Sequence, residues 1–175
     1  MKIRLANTND INEVMKIIND AKIYLKNQGL KQWNLPDGYP QKEVLLNDIN
    51  NKNCYVLEND NNLIATMTII FEKDENYNAI YKGKWLSNSN YASIHRIAIK
   101  NTHHHLKLGI KMLLEAEAIV KSKNFYSIKI DTHKDNIPMT KTILNAGYTY
   151  CGTIILKRTE EDNKRDAYEK GLLRN

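Results

Sequence analysis

The sequence predicts an α/β or α+β domain, and three observations support this prediction. Strand-like and helix-like segments alternate along the 175 residues, which is typical of these fold classes. Hydrophobic residues make up 42% of the chain and charged residues 26%, the composition of a soluble globular protein. The length matches one domain of ordinary size, about 100–200 residues. We therefore expect a single domain over residues 1–175.

The spacing of hydrophobic residues predicts which segments form strands and which form helices. Short runs that alternate, or that are rich in β-branched residues, predict strands, and longer stretches with apolar residues at i, i+3 and i+4 predict helices. Asp10 and Glu13 resemble a capping box before the first helix, while Gly29 and Gly147 follow helices as C-terminal stops. The predicted strands are Lys2–Leu5, Cys54–Glu58, Leu63–Phe71, Tyr91–Lys100, Ser127–Thr132, Tyr148–Leu156 and Asp166–Leu172. The predicted helices cover residues 11–28, 41–50, 106–123 and 136–145, so the element order is β-α-α-β-β-β-α-β-α-β-β.

Two stretches predict long loops. Residues 30–40 contain Pro and Gly together with Trp33 and Tyr39. Residues 73–90 are polar and irregular, and loops of this length often serve function. The Ile- and Ala-rich strand that follows, Tyr91–Lys100, is expected to be central and buried on both faces.

The net charge of +6 and the pI of about 9.1 allow either a solvated basic surface or an anionic ligand. Only 5 of the 26 basic residues are Arg, and the Lys residues are spread along the chain. A dedicated nucleic-acid binder tends to cluster its basic residues on one face, so nucleic-acid binding is the weaker interpretation.

Several classes of protein are disfavoured by the sequence. It contains no run approaching the ~20 apolar residues that span a bilayer, and its start has no apolar run typical of a secretory signal. Cys54 and Cys151 are too few for a disulfide scaffold. We expect a reduced, cytoplasmic protein with no membrane contact.

The strand–loop–helix from Ile94 to Val120 is the segment that points to chemistry. The first N–H groups of a helix have no intrahelical acceptor and lie at the positive end of the helix dipole, so a helix start suits a phosphate or pyrophosphate. His103, His104 and His105 lie in this loop. Consecutive residues point in different directions, so we expect no metal site there.

The chain resembles the GNAT superfamily of N-acetyltransferases along nearly its whole length. The resemblance rests on the element order and on the sequences IHRIAI at 94–99, IDTHKDN at 130–136 and NAGY at 145–148. The segments 151–154 and 165–169 are similar to the small-molecule acetyltransferases of low-GC Gram-positive bacteria. The resemblance implies a mixed, mostly antiparallel central sheet flanked by helices.

The resemblance also implies acetyl-coenzyme A as the donor. Main-chain groups of the fourth strand pair with the pantetheine arm in the family, the amides of the following loop hold the pyrophosphate, and a residue of the next helix start contacts the coenzyme. The corresponding residues here are Ile97, Ala98, Ile99, His105, Leu106, Lys107, Leu108, Gly109, Ile110 and Asn136.

Two features depart from the family pattern: the glycine loop and the tyrosine acid. Leu108 and Ile110 stand where the family loop carries Gly and Gly or Ala, although any residue except Pro keeps its backbone amide. Ile143 stands where many relatives carry the Tyr that protonates the leaving thiolate. A non-catalytic relative that binds a ligand or partner therefore stays open as an alternative, and a basic nucleic-acid-binding module is a further one.

Transfer to an amine requires a group that accepts the amine proton. Histidine titrates close to neutral pH, and His95 and His133 both fall near the expected split between the fourth and fifth strands. Glu72, at the end of the third strand, is a third candidate base. Each of the three also has a plain structural interpretation, such as a hydrogen-bonded core histidine.

The expected activity is direct acetyl transfer from acetyl-coenzyme A to a primary amine on a small molecule. Gln32, Trp33 and Tyr39 are candidates for the acceptor pocket, although a loop Trp is more often a packing residue. A homodimer is the commonest assembly among homo-oligomers and stays open here.

Overall fold

The computed structural model of the protein describes residues 1–158 and 161–173, apart from the side chains of residues 104–106. The chain divides into two compact units: unit 1 contains residues 1–69 and 96–112, and unit 2 contains residues 70–95 and 113–175. The expectation of a single domain over residues 1–175 stays a prediction.

Unit 1 is built on antiparallel strands and two helices. Strand β1 pairs with β2, and β2 with β3, all antiparallel. Helices α1 and α2 come between β1 and β2 in the chain. The bounds are β1 Lys2–Leu5, α1 Ile11–Asn27, α2 Lys42–Asn50, β2 Cys54–Asn59 and β3 Asn62–Ile70.

Strand β4, Ala92–Ile99, and helix α3, Leu108–Ser122, each contribute residues to both units. Unit 2 also contains β5 Ser127–Thr132, α4 Ile137–Asn145, β6 Thr149–Ile155 and β7 Lys164–Gly171. Strand β4 pairs with β5 in parallel, from Ala92↔Ile128 to Ile94↔Ile130. Strand β7 pairs with β5 and β6, both antiparallel.

The strand order is β1-β2-β3-β4-β5-β7-β6, in a seven-stranded, mostly antiparallel sheet. The predicted fold class and element order are therefore confirmed. Most boundaries lie within two residues of the prediction, because the hydrophobic periodicity of each segment matches the structure it adopts.

Three local predictions were wrong. The capping box lies one turn earlier than expected, with Asn7 as the N-cap and Asp10 as its partner. Helix α3 begins at Leu108 because residues 101–106 form a separate 3₁₀ helix, which is followed by Lys107 with a left-handed φ of 52°. Strand β4 is fully buried only in part, since residues 92–94 and 98 are buried whereas residues 95–97 and 99 have intermediate exposure.

The capping box at α1 is supported by an ion-pair cluster. Asp10 accepts hydrogen bonds from the Asn7 amide at 2.8 Å and from two guanidinium nitrogens of Arg4 at 2.7 and 3.0 Å. Arg4 also donates to Glu58 on β2 at 2.7 Å. The hydrogen bonds from Arg4 lower the pKa of Asp10 below its ordinary value.

We expect Asp10→Asn to destabilise the protein at neutral pH by about 1–2 kcal/mol, because the cap and the ion pair are both weakened. A carboxyl whose pKa is lower in the folded state stabilises the fold above its unfolded pKa, and this contribution is lost as the pH falls through the folded pKa. The difference in free energy of unfolding between the wild type and Asp10→Asn should therefore disappear as the pH falls below about 4. Urea unfolding at a series of pH values measures it, and a difference that is independent of pH would contradict this account.

Each unit has its own apolar core. In unit 1, one face of α1, including Val14, Ile17 and Ile18, packs with Leu45 and Ile49 of α2 and with residues of the strands. In unit 2, Tyr77 forms a cluster with Ile154 and Ala167. The second core includes a residue from the predicted loop 73–90, so that stretch is a structural part of unit 2.

The connecting segment, residues 71–91, joins β3 to β4 and carries a short 3₁₀ helix, Glu75–Tyr77. Tyr81 makes an isolated antiparallel bridge to Thr153 on β6, with two backbone hydrogen bonds of 2.8 Å. Gly83 packs so closely on β6 that a Cβ there would lie 1.9 Å from the Cys151 carbonyl oxygen. The absence of a side chain at residue 83 is thus required for the segment to lie on the sheet.

Candidate active site

The start of helix α3 is the segment where the sequence predicts an anion site. The Lys111 amide donates to the Lys107 carbonyl at 3.3 Å, so the amides of Leu108, Gly109 and Ile110 belong to the first helical turn, where N–H groups have no intrahelical acceptor. They lie at the positive end of the helix dipole. This turn can therefore present several N–H donors to a phosphate.

The residues that replace the family glycines do not share one environment. Leu108 is 2% exposed, so its side chain packs into the protein and does not cover the helix start from the solvent side. Ile110 is half-buried, and Gly109 is buried. The side chains of His105 and Leu106, which were also predicted to bind the donor, lie outside the described part of the chain.

Strand β4 changes conformation in its middle. Arg96 has a φ of 50°, which is uncommon for a residue other than glycine. The residues predicted to pair with the pantetheine arm follow directly: Ala98 is buried, and Ile97 and Ile99 are half-buried. Irregular residues of this kind in strands are often found next to active sites.

A buried ionic network in unit 1 holds Arg96 in place. Its guanidinium donates to both carboxylate oxygens of Asp48, at 2.6 and 2.8 Å, and to the Tyr39 hydroxyl at 2.7 Å. The Thr68 hydroxyl donates to Asp48 at 2.9 Å. Asp48 thereby connects helix α2 to strands β3 and β4.

The loop between α1 and α2 contains the three predicted acceptor residues. Trp33 has a left-handed φ of 63° and packs against the apolar core of unit 1, as a packing residue would. Tyr39 accepts the hydrogen bond from Arg96 described above. Gln32 is half-buried. Lys22 of α1 also holds this loop, donating to the carbonyls of Gly38 and Pro40 at 2.7 and 3.1 Å.

His95, the first candidate base, lies in unit 2 next to an acidic side chain. Its Nε2 is 3.1 Å from Asp74 Oδ2 and 3.1 Å from the Ser93 hydroxyl. The Tyr77 ring stacks on the imidazole, with 6.0 Å between centroids and 27° between planes. Both side chains are largely buried, at 17% exposed for His95 and 14% for Asp74.

His133, the second candidate, has both ring nitrogens engaged. Its Nε2 lies 2.8 Å from Asp162, and its Nδ1 accepts a hydrogen bond from the Asp135 amide at 3.1 Å. It lines a depression of about 350 Å³ together with Lys134, Asp162 and Asp166. Glu72, the third candidate, is exposed and lies two residues beyond the end of β3.

Two residues singled out from the sequence, Asn136 and Ile143, lie at the start of α4 and within it. Asn136 is the N-cap of α4 and accepts a hydrogen bond from the Met139 amide at 3.3 Å. Ile143, which replaces the family tyrosine, is fully buried in unit 2. The sequence correctly indicated the helix start at Asn136, because Asn is among the residues preferred as N-caps.

The two cysteines are not in a disulfide, and both are buried. Burial raises the pKa of the Cys54 thiol to about 11 and also raises the pKa of Cys151. The thiolate is the nucleophilic form of cysteine, so neither side chain is suited to nucleophilic attack at neutral pH.

Within the described residues, His, Cys, Asp and Glu side chains do not form a group of three that could hold a metal ion. The helices of that part of the chain also include none with the length and apolar character needed to cross a membrane.

Three acidic residues that accept several hydrogen bonds were not assigned a role from the sequence. Asp74 was placed in an irregular loop, and Asp48 on a short helix received no role. Glu169 of β7 is fully buried and accepts hydrogen bonds from Leu86 N–H, Ser87 and Ser127. The aromatic residues Trp85 and Tyr91 around residues 73–90 were the one signal that this loop is packed.

Comparison with known proteins agrees with this geometry. The model of the Acetyltransferase (GNAT) family matches residues 14–148. The chain therefore belongs to the GNAT acetyltransferase family, which confirms the resemblance seen in the sequence. No curated protein matches the chain significantly.

Solved structures show the same fold. A GNAT-family acetyltransferase from Streptococcus agalactiae is 32% identical, with a TM-score of 0.89, over 99% of this chain and 96% of that one. An acetyltransferase from Staphylococcus aureus is 21% identical, with a TM-score of 0.73, over 99% and 100% of the two chains. The PaiA N-acetyltransferase from Thermoplasma acidophilum, solved in complex with coenzyme A, is 20% identical with a TM-score of 0.67, over 97% and 98%.

Proposed function

We propose that the protein transfers an acetyl group from acetyl-coenzyme A to a primary amine of a small molecule. The observation that carries this proposal is the match of residues 14–148 to the GNAT acetyltransferase family. The similar structure from Thermoplasma acidophilum contains coenzyme A, which supports this donor. Acetyl-coenzyme A acts as a co-substrate, and the proposal requires no metal. A cytoplasmic location stays a prediction.

Main-chain groups of residues 97–99 and 107–110 are proposed to bind the donor. The amides of Lys107, Leu108, Gly109 and Ile110 hold the pyrophosphate, and the backbone of 97–99 pairs with the pantetheine arm. The burial of Leu108 supports this fit, because the bulk that replaces the family glycine is directed into the protein. Asn136, His105 and Leu106 stay proposed donor contacts, and Gln32, Trp33 and Tyr39 stay proposed acceptor contacts.

His95 is proposed as the base. A neutral imidazole can accept a proton only at a nitrogen whose lone pair is available, and at His133 the Asp135 amide occupies Nδ1. Among the described residues, the ion-pair and hydrogen-bond contacts of His95 to other side chains all involve Nε2. The geometry therefore favours His95 over His133, and over the exposed Glu72.

The reaction is a direct transfer. The amine nitrogen forms a bond to the acetyl carbonyl carbon, the carbon–sulfur bond breaks, and coenzyme A leaves as a thiolate that takes a proton from water. The raised pKa values of the two cysteine thiols support a route without an acetyl-cysteine intermediate. Correct positioning of amine and thioester supplies much of the rate acceleration.

A calorimetric titration with acetyl-coenzyme A, followed by an acceptor screen, tests the proposal. The screen covers polyamines, aminoglycosides, amino acids and short peptides, with released thiol as the readout. Binding at micromolar to millimolar concentration together with thiol release is expected. Absence of binding at millimolar donor would overturn the transferase. Donor binding without turnover on any acceptor would favour the alternative, a non-catalytic relative that binds a ligand or partner. The observation that supports this alternative is the buried Ile143, which stands where many relatives carry a tyrosine.

Ile110→Pro and Ile110→Ala test the helix-start amides. Pro removes the amide N–H of residue 110 and is tolerated in the first turn of a helix, whereas Ala keeps the amide. A hydrogen bond to a charged group contributes about 1.5–3 kcal/mol, so Ile110→Pro should weaken acetyl-coenzyme A binding by roughly 10- to 150-fold. Calorimetry gives both Kd values, and equal weakening in the two variants would contradict binding through this amide.

A further inference from the structure

We propose that Asp74 is a positioning residue for His95, holding its imidazole in the tautomer whose Nδ1 accepts the proton of the acceptor amine. This inference rests on the proposed function and deepens it. It assigns a role to the connecting segment, residues 71–91, which carries Asp74.

The contacts of Asp74 define the tautomer. An ionised carboxylate only accepts hydrogen bonds, so the 3.1 Å contact between Asp74 Oδ2 and His95 Nε2 places the proton on Nε2. Nδ1 then carries the lone pair, and among residues 1–158 and 161–173 it has no hydrogen-bond partner. This arrangement leaves one ring nitrogen available as a base.

The carboxylate is itself held in a fixed orientation. Its Oδ1 accepts hydrogen bonds from the Asn76 amide and the Asn76 side chain, both at 2.8 Å. Oδ2 is thereby directed to His95. Burial acts to raise the pKa of Asp74, but the hydrogen bond from His95, the attraction of the positive charge that the imidazole carries when protonated, and the hydrogen bonds from Asn76 together outweigh burial and keep this pKa below its ordinary value. Asp74 is therefore ionised at neutral pH.

Tyr77 holds the other side of the pair. Its ring stacks on the imidazole, and its hydroxyl donates to Asp131 Oδ1 at 2.7 Å. Burial raises the pKa of Tyr77 well above its ordinary value, so the phenol stays neutral. Within the described part of the chain, the titratable groups in contact with His95 are thus Asp74 and Tyr77, and Asp131 contacts Tyr77.

The connecting segment is anchored at its far end. Trp85 Nε1 donates to the Tyr77 carbonyl at 3.0 Å. The Leu86 amide and the Ser87 hydroxyl donate to the buried Glu169 at 2.6 and 2.8 Å. Lys129 lies over the rings of Trp85 and Tyr91, 4.0 and 3.9 Å from their centroids. These contacts fix the backbone from which Asp74 reaches His95.

The proton balance of the step is simple. The lone pair of His95 Nδ1 takes one proton from the amine nitrogen as that nitrogen bonds to the acetyl carbon. The imidazole becomes an imidazolium, which the Asp74 carboxylate stabilises because opposite charges favour the protonated form. The imidazolium returns its proton to water after the acetylated product leaves.

Asp74→Asn is the test, with Glu75→Gln as the matched control. Asn keeps an Oδ1 that can accept the hydrogen bonds from Asn76 but removes the charge beside His95. Glu75 is the adjacent, exposed carboxylate, paired only with Lys157 in the described structure. The kinetics of the wild type and of both variants are measured on the full chain, with an acceptor found in the screen. Asp74→Asn should lower kcat at least tenfold, leave the KM for acetyl-coenzyme A unchanged, and move the acid limb of the kcat profile to lower pH. Glu75→Gln should change none of these.

A double variant distinguishes a role of Asp74 in positioning His95 from a general role of Asp74 in the stability of the protein. His95→Gln should lower kcat by ~10²–10⁴-fold, the usual contribution of a positioned base. If Asp74 acts through His95, adding Asp74→Asn to His95→Gln causes no further loss. Additive losses would overturn the proposal, as would an Asp74→Asn protein with full kcat and an unchanged pH profile.

A measurement on the wild type covers the case in which Asp74→Asn does not fold. Nitrogen-15 imidazole shifts, with His95 assigned through His95→Gln, should show the Nε2–H tautomer above pH 8. A dominant Nδ1–H tautomer would overturn the proposal. Failure of the proposed function is distinct, because it appears as absent donor binding or absent turnover in the wild type, while the tautomer is measured without either substrate.

Discussion

Asp48→Ala is expected to destabilise the protein by about 3–5 kcal/mol, the cost of removing one partner from a buried ion pair. Asp48 and Arg96 have side chains only 6% and 9% exposed, so water cannot replace the carboxylate. Arg96 would keep its charge in an apolar environment and lose two of its hydrogen bonds. The left-handed φ of Arg96 would also lose its main support.

Glu43→Ala is the matched control for Asp48→Ala. Both residues lie on α2, and Ala is the best helix former in either position. Glu43 is exposed, so its replacement should change the free energy of unfolding by no more than about 0.5 kcal/mol. Urea unfolding followed by circular dichroism measures both variants. Equal effects would show that the ion pair with Arg96 contributes little.

Gly83→Ala is expected to destabilise the protein by at least about 2 kcal/mol, within the range measured for overpacked sites. The added Cβ would lie 1.9 Å from the Cys151 carbonyl oxygen and 2.8 Å from its carbon, and both are backbone atoms. A flexible side chain could move aside, but here the connecting segment or strand β6 must shift. The bridge between Tyr81 and Thr153 is adjacent and would be strained.

Gly171→Ala is the matched control for Gly83→Ala. Gly171 ends strand β7, and an added Cβ there meets no atom within 4 Å. Its replacement should be neutral or stabilising by up to about 1 kcal/mol, because Ala has less conformational freedom in the unfolded chain. Urea unfolding of the two variants under identical conditions gives the comparison. A Gly83→Ala protein as stable as Gly171→Ala would contradict the close packing of the connecting segment.

Gly83→Ala is also expected to lower turnover. The connecting segment carries Asp74, which contacts His95. A displaced segment should lower kcat, whereas binding of acetyl-coenzyme A, proposed to involve the main chain of residues 97–99 and 107–110, should be retained. Calorimetry and kinetics on the same preparation separate the two effects.

The element order and the position of the helix start after β4 could be predicted from the sequence. Strands such as Lys2–Leu5 and Ser127–Thr132 were located to the residue, because a hydrophobic period of two is a local signal. The helix start after β4 was located to within two residues, and Lys107 in its left-handed conformation explains the difference. His95 was named as one of three candidate bases, but local patterns could not rank it against His133.

The ranking of the bases depends on contacts between residues far apart in the sequence. Asp74 and His95 are in contact although they are 21 positions apart in the sequence, and His133 and Asp162 are 29 positions apart. Arg96 and Asp48 are 48 positions apart. Residue type and spacing do not encode which distant carboxylate meets which ring nitrogen, since that depends on how loops lie on the sheet.

The sequence by itself determined the α/β class, the order of strands and helices, and the presence of a helix start suited to a phosphate. These features are local, because they follow from periodicity and from backbone groups that every residue carries. Only the tertiary structure decided that residues 71–91 pack on the sheet, that Leu108 is buried, and that Asp74 lies beside His95. Those features arise from long-range packing, which places side chains in contact only after the backbone has folded.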